Sequence, residues 1–381
     1  MITPEAWAGV QYFLDNYVKP TADDFAVVAY TPDSRGPAAW LCVALRDRGV
    51  VVEDVWMTPI SDGGILERFR SVLVDPSELK GRLIVVTLER DTMSHDSKIK
   101  EAIQYFDKDR RLIFRAISAC EELFSSALRA NPEEINALNA TLLTRLTKAR
   151  KLHIETPSGS NIDVVLNNER HQWISNRGKH RPGRIAILPP GEVATFPADV
   201  SGVFVADFAF NLNAITQRDT RLNRCPITVK LKGGRAIDFH CADEEISSFI
   251  AQCFEQYCAS NVGELGFGTN RRIGDAIAMN SHINERKPGI HLGFGQHNQD
   301  HEIVAYRCAI HLDLIAAGGS VWVDGDVDAI NLADFQALKS RHPAQFRDED
   351  VFSPDLEDLE VEDCCGILRQ GQNGLSLFEP R

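Results

Sequence analysis

Four short apolar runs, at 25–30 (FAVVAY), 50–56 (VVVEDVW), 82–88 (RLIVVTL) and 111–116, alternate with stretches whose apolar residues recur at helical spacing, at 36–48, 65–73 and near 95–106. That alternation leaves few architectures. Strands joined one after another through helices run parallel, and a parallel sheet is covered by helices on both faces. A further helix precedes the series, with Trp7, Val10, Phe13, Leu14 and Tyr17 near helical spacing, and helices near 119–128 and 132–149 follow it. Residues 1–150 are therefore expected to form an α/β domain. The loop after its first strand, TPDSRGPAA, holds one glycine and neither a GxGxxG nor a GK[ST] pattern, which speaks against a nucleotide cofactor there.

The pattern changes past residue 150. KLHIETPSGSNIDVVLN reads as a hairpin turning at Pro157-Ser158-Gly159, and RIAILPPGEVATFP, VSGVFVADFAF, CPITVKLKGGRAIDFH and GSVWVDG add short strands between Gly and Pro turns. A helix near 242–258 interrupts them. The expected fold is thus an α/β N-terminal domain with a parallel sheet, followed by an α+β, β-rich metal-site domain over 151–343 and an acidic C-terminal tail over 344–381. A chain of 381 residues exceeds what one core comfortably holds, in keeping with this division.

Charge and composition narrow the partners. The net charge of -13 disfavours a nucleic-acid phosphate backbone, and no apolar run is long enough for a membrane span. Residues 348–363 (DEDVFSPDLEDLEVED) carry nine carboxylates and no Lys or Arg, which reads as a solvated tail; Phe352, Leu356, Leu359 and Val361, interleaved with the acids, leave open a partner-docking segment. Nine cysteines at irregular spacings, without a CxxC pair and behind an N-terminus (MITPEAWAGVQYF) that lacks the layout of a signal peptide, indicate free thiols and a cytoplasmic location.

Chemistry concentrates between Gly263 and Gly325. GELGFGTN, NERKPGIHLGFG and IHLDLIAAGGSVWVDG offer Glu264, Glu285, His291, His311 and Asp313, the ligand types that zinc, manganese and iron(II) accept. If IHLDLI is a strand, His311 and Asp313 share one face while Ile310, Leu312 and Leu314 anchor the other. The Gly-aromatic-Gly segments after Glu264 and His291 read as tight turns that present those side chains to a common site. Glu285 is either a carboxylate working beside a metal or a surface residue next to Arg286 and Lys287. Glu192, after a Pro-Pro-Gly turn, is a carboxylate brought in from afar or a turn residue. His297 and His301 lie in a polar loop between proposed ligands, which reads as solvent-exposed and leaves open contact with substrate or metal, and His153, His171 and His180 have no spacing that marks a site. HExxH and GxSxG motifs are absent.

In order along the chain, PGEVATFP, GELGFGTN, an Asn-Glu followed shortly by HLGFG, and HLDLI followed by VWVDG resemble the aminopeptidase T superfamily of metallo-aminopeptidases. The same layout occurs in 2,5-dihydroxypyridine 5,6-dioxygenase, a mononuclear iron(II) ring-cleaving enzyme. The resemblance spans roughly residues 150–330; the first 150 residues match in architecture. It implies that Glu192, Glu264, His291, His311 and Asp313 surround two metal ions and that Glu285 is the general base; Asn298 and Tyr306, at positions matched to the family, and the loop residue His297 are expected where substrate binds. It further implies divalent zinc, manganese or cobalt, with iron(II) for the dioxygenase type, and a homodimer. Several positions depart from the peptidase pattern. Its tyrosine, expected seven residues after the first His, falls on Asn298; the Glu-to-His spacing is one residue longer; and its Asn and Ser before the His-x-Asp correspond to Tyr306 and Cys308. The dioxygenase's first His falls on Glu264, while His311 and Asp313 match.

Three functions follow from the resemblance. The first is a metal-dependent hydrolase that releases N-terminal residues from peptides or cleaves a related amide. The second is a non-catalytic peptide-binding protein of a biosynthetic pathway, and the third is an iron(II) dioxygenase.

Overall fold

The computed structural model describes residues 2–59, 61–90, 95–348, 368–371 and 374–377. Helix α1 (Pro4–Phe13) starts where Thr3 caps the backbone N–H of Ala6 and Pro4 occupies the first turn. Strands β1 (Phe25–Tyr30), β2 (Val51–Trp56), β3 (Leu83–Glu89) and β4 (Arg111–Ile117) alternate with α2 (Arg35–Arg46), α3 (Ile65–Val72) and α4 (Asp96–Ile103), followed by α5 (Glu121–Ser125) and α6 (Pro132–Leu146). β3 and β4 are buried along their whole length, as strands covered on both faces must be, whereas β2 at the edge is largely exposed.

The β-rich part begins with β5 (Lys151–Glu155), β6 (Asn161–Val165), β7 (Ile174–Asn176), β8 (Ile185–Leu188) and β9 (Glu192–Thr195). It continues with β10 (Asp199–Ala206), β11 (Ala209–Leu212), β12 (Ala214–Ile215), β13 (Ile227–Lys232) and β14 (Arg235–His240). Helix α7 (Glu244–Phe254), capped by Asp243, leads to β15 (Val262–Gly268), the one-turn helix α8 (His282–Glu285), β16 (Gly289–Gly295) and β17 (His311–Ala317). Short strands β18 (Ser320–Val323), β19 (Ile330–Asn331), β20 (Arg347–Asp348), β21 (Leu368–Gly371) and β22 (Gly374–Leu377) finish the described chain.

These strands form a parallel sheet in the order β2-β1-β3-β4-β8, an antiparallel sheet β14-β13-β10-β6-β5-β18-β19, a mixed sheet β11-β17-β16-β15-β9-β7-β20 and a small sheet β12-β21-β22. β8 leaves the β-rich part to pair with β4, Ile113 against Ile185, so the two parts share a sheet. The second and third sheets enclose one core: Leu152, Ile154, Ile162 and Val229 from one, Phe267, Leu292, Phe294 and Leu314 from the other. The opposite face of the third sheet turns toward the parallel-sheet part, with which Ile315 and Ala209 share a second core.

Two readings from sequence change. GELGFG and GIHLGFG are not turns; they are the bodies of β15 and β16, paired antiparallel, Gly266 opposite His291. The glycines admit bulky polar side chains from neighbouring strands. The acidic run beyond Asp348 and the two adjacent thiols that follow it in sequence, Cys364 and Cys365, fall outside the described residues. No helix among the described residues is long and apolar enough to cross a membrane.

Candidate metal centre

Alternation along the third sheet decides which side chains meet. On β15, β16 and β17, Leu265, Phe267, Leu292, Phe294, Leu312 and Leu314 point into the core, which turns Glu264, His291, His311 and Asp313 to the other face. Glu192 opens β9 on that same face. The register then places a glycine across from every one of the five: Glu192 faces Gly268, His291 faces Gly266, Glu264 and Asp313 both face Gly293, and His311 faces Gly295. The glycines clear the floor on which the site is built. A Cβ on Gly266 would stand 2.0 Å from His291 Nε2, and one on Gly293 would stand 2.9 Å from Asp313 Oδ1.

Ligand atoms converge in two groups that share Glu264, one with Glu192 and His291, the other with His311 and Asp313; within each group the atoms lie within 4.8 Å of one another. His291 Nε2 approaches Glu192 Oε1 to 2.8 Å and Glu264 Oε1 to 3.4 Å, and His311 Nε2 lies 3.1 Å from Asp313 Oδ1. Apart from one another, Glu192 Oε1, both ring nitrogens of His291 and Asp313 Oδ1 are buried without a well-formed hydrogen bond to any of the described residues. Buried polar atoms are ordinarily satisfied. Imidazole and carboxylate ligand atoms crowded on one another and aimed at one buried space fit a divalent cation. The His311 ring is held by its Nδ1, 2.8 Å from the Gln296 carbonyl, which leaves Nε2 for the site.

Electrostatics agree with a cation-demanding site. Burial pushes the His291 and His311 pKa values down, but the carboxylates around them outweigh it: Glu264, Asp313 and Glu285 raise His291, and Asp313 first and then Glu264 raise His311 well above the ordinary range. Burial acts on Asp313 in the opposite sense and is overcome by His311 and His291, which hold its carboxyl below the usual range. Solvent reaches the His311 end: its side chain is 18% exposed and that of Glu264 12%, against 0% for His291.

Helix α8 delivers Glu285 to the rim of this cluster, its start capped by the Ser281 hydroxyl. Asn211 of β11, opposite Asp313, donates to Glu285 Oε1, and His282 Nδ1 lies 3.1 Å from the same oxygen. Glu285 is buried, and so is Arg286. The surface reading of Glu285 beside Arg286 and Lys287 is thus replaced for the first two residues, while Lys287 turns away to the carbonyls of Ile273 and Gly274. Arg286 had no sequence signal beyond its place next to Glu285, yet its Nη1 donates to Glu192 Oε2 and lies 3.5 Å from Glu285 Oε2, and its Nε reaches the Pro189 carbonyl. Asn139 of α6 fastens the strand that carries Glu192: its side-chain amide donates to the Asn176 and Glu192 carbonyls, and Thr269 donates to its Oδ1.

The three residues expected near substrate divide. Asn298 Nδ2 donates to Glu264 Oε2 at 2.8 Å, so it belongs to the site. His297 is buried behind it, Nε2 2.8 Å from the Tyr306 carbonyl, and the Tyr306 hydroxyl donates to the Gly295 carbonyl. His301 is exposed. His153, His171 and His180 lie apart from the cluster, on partners of their own: Asp163 and Glu155, the Phe196 carbonyl and the Arg111 carbonyl.

The fold has solved counterparts. The 2,5-dihydroxypyridine dioxygenase of Pseudomonas putida KT2440 superposes with a TM-score of 0.59 at 16% identity, over 88% of this chain and 98% of that one. Wild-type AmpT of Thermus thermophilus superposes with a TM-score of 0.54 at 14% identity, over 87% and 98%. The chain has their fold. This agrees with the superfamily that the motifs resemble. A family model described as crocagin biosynthetic protein CgnE/B matches residues 198–321, from β10 through β18. No curated protein matches by sequence.

Proposed function

We propose that this chain is a metal-dependent hydrolase that releases N-terminal residues from peptides or cleaves a related amide. One observation carries the reading: buried carboxylate and imidazole atoms of Glu192, His291 and Asp313, left to one another among the described residues, converge with Glu264 and His311 on one sheet face. Glu192, Glu264 and His291, or Glu264, His311 and Asp313, would hold the ion, and zinc, manganese and cobalt suit such ligands. A divalent ion there supplies Lewis acidity for water activation and carbonyl polarisation. The residues of the chain do the rest. Asn211 and His282 fix the Glu285 carboxylate at the rim, where it takes the proton of the attacking water and returns it to the leaving amine. Asn298 steadies Glu264 at the solvent-facing end, where substrate enters.

A second reading is a protein of the same fold that binds a peptide without cutting it. Asn298 in the place of the peptidase tyrosine favours it, as does the biosynthetic family model. Incubation of the zinc- or manganese-loaded protein with short peptides, read by mass spectrometry, separates the two. Release of N-terminal residues that disappears in Glu285→Gln while metal content is retained supports the hydrolase. Peptide binding without any cleavage by the loaded protein rejects hydrolysis in favour of the second reading.

A further inference from the structure

Arg286 does not belong in a centre built for two ions. Its side chain is 2% exposed, it lies between Glu192 and Glu285, and its guanidinium donates to the outer oxygen of Glu192. The Pro189 carbonyl holds its Nε, so the head group is tethered from both sides. A guanidinium cannot give up its proton in a protein and keeps a full positive charge wherever it is buried. A divalent ion on Glu192 and His291 would therefore share the Glu192 carboxylate with a fixed cation, in a buried place where the two charges are weakly screened. The other ligand group is different. Glu264, His311 and Asp313 have no guanidinium or ammonium among their partners in the described residues; Glu264 is steadied by the neutral Asn298 amide and His311 by the Gln296 carbonyl.

Four carboxylates, Glu192, Glu264, Glu285 and Asp313, meet in this space. Two of them are already in contact with Arg286. The remaining pair, with His311, offers a carboxylate-carboxylate-imidazole set at the end of the site that solvent reaches.

We propose that Arg286 takes the place of one ion, so that the centre binds a single divalent cation at Glu264, His311 and Asp313, with Glu192 and His291 committed to the guanidinium side. This rests on the metal-centre reading and narrows it. Arg286 acts as a positioning residue: it neutralises Glu192 and sets the number of ions, and substrate chemistry is left to the His311 end.

The test counts ions and is independent of turnover. Metal-stripped protein is titrated with Zn²⁺ by calorimetry, and the zinc content after gel filtration is measured by inductively coupled plasma mass spectrometry. Expected are one equivalent for the wild-type chain, its loss in Asp313→Asn, and two equivalents in Arg286→Met, where Glu192 and His291 are released. Arg286→Met leaves Glu192 buried without its partner and can fail to fold. The double variant Arg286→Met/Glu192→Gln removes both charges together, which a fold tolerates better than breaking the pair, and it is expected to keep the wild-type single equivalent. Two equivalents in the wild type, falling to one in the double variant, would overturn the proposal and leave the metal reading standing. So would a single equivalent in a folded Arg286→Met. No uptake by any variant removes the metal reading itself and this inference with it.

Discussion

Gly293 lies between three ligands, and one methyl group there tests the whole arrangement. Gly293→Ala places a Cβ 2.8 Å from Glu264 Cβ, 2.9 Å from Asp313 Oδ1 and 2.9 Å from His311 Cε1, all closer than carbon normally approaches a neighbour. The backbone here is ordinary strand, so the substitution introduces no conformational strain, and it even removes ~0.4–1 kcal/mol of unfolded-chain entropy. Against this stands overpacking of a filled site, about 1–3 kcal/mol. The net expectation is a loss of ~1–2 kcal/mol in the metal-free protein, read by urea unfolding in EDTA. The larger effect falls on the ion. The three side chains that must close on one cation are pushed apart by several tenths of an ångström, and Zn²⁺ affinity should drop by at least the ~10–100-fold that follows the loss of a ligand's supporting contact. Gly274→Ala serves as the control, because a Cβ there meets nothing within 4 Å among the described residues; it should move stability by less than ~0.5 kcal/mol and leave zinc binding alone. A Gly293→Ala protein that binds Zn²⁺ as the wild type does would refute the reasoning, because the ligands would then not be converging where the structure puts them.

Other expectations rest on single contacts. Asn139→Ala deprives the Glu192 and Asn176 carbonyls of their donor and Thr269 of its acceptor, and should cost ~2–3 kcal/mol in chemical denaturation while also loosening Zn²⁺; no change in either would show that β9 is held by its sheet alone. Arg115→Met leaves Glu89, 3.0 Å from the guanidinium and buried, without that partner, and should destabilise the parallel-sheet part by ~3–5 kcal/mol, visible as a lower urea midpoint. The fold keeps His180 and His342 neutral. Burial first, then Arg82 and Arg181, lowers His180 to about 4; burial, then Arg177 and Lys179, lowers His342 to about 3. The unfolded chain takes up protons at both from about pH 6.5 downward and the folded chain does not, so this stability is complete above about 6.5 and is lost as the pH falls toward the folded values. Urea midpoints measured between about pH 7 and pH 4 should decline, and less so in His180→Gln/His342→Gln; an equal decline in that variant would assign the acid sensitivity elsewhere.

The parallel-sheet part was legible because its signals are local. A run such as FAVVAY, buried on both sides, has few conformations open to it, and observed β1 coincides with it. What no local signal carried is β8. IAIL reads like any other short strand of the β-rich part, and only the pairing of Ile185 with Ile113 shows that it completes the first sheet. Such a long-range choice depends on which sheet edge is left open, and that is a property of the assembled fold.

The site divides along the same line, and its glycines show why. The closely spaced glycines of GELGFG and HLGFG look like turn chemistry, since glycine commonly supplies backbone freedom. Here most of these positions need no special φ. They need the absence of a side chain, because His291 lies over Gly266, and Glu264, Asp313 and His311 crowd around Gly293. An alternation of glycine and large apolar residues in a strand thus marks one face as core and the other as a floor cleared for bulky polar groups from the strands beside it. That pattern is present in the residue order, once read at the strand period of two. Arg286 has no such signal. In NERKPG three charged residues stand together, and nothing local separates the one that turns outward from the two that turn in. The separation comes from α8, whose single turn ends at Glu285 and brings Arg286 onto Glu192, far away in sequence and adjacent only because β9 pairs with β15. A ligand can be recognised by its type and spacing; a cation that displaces a ligand's metal is recognisable only after the fold has brought the two charges together.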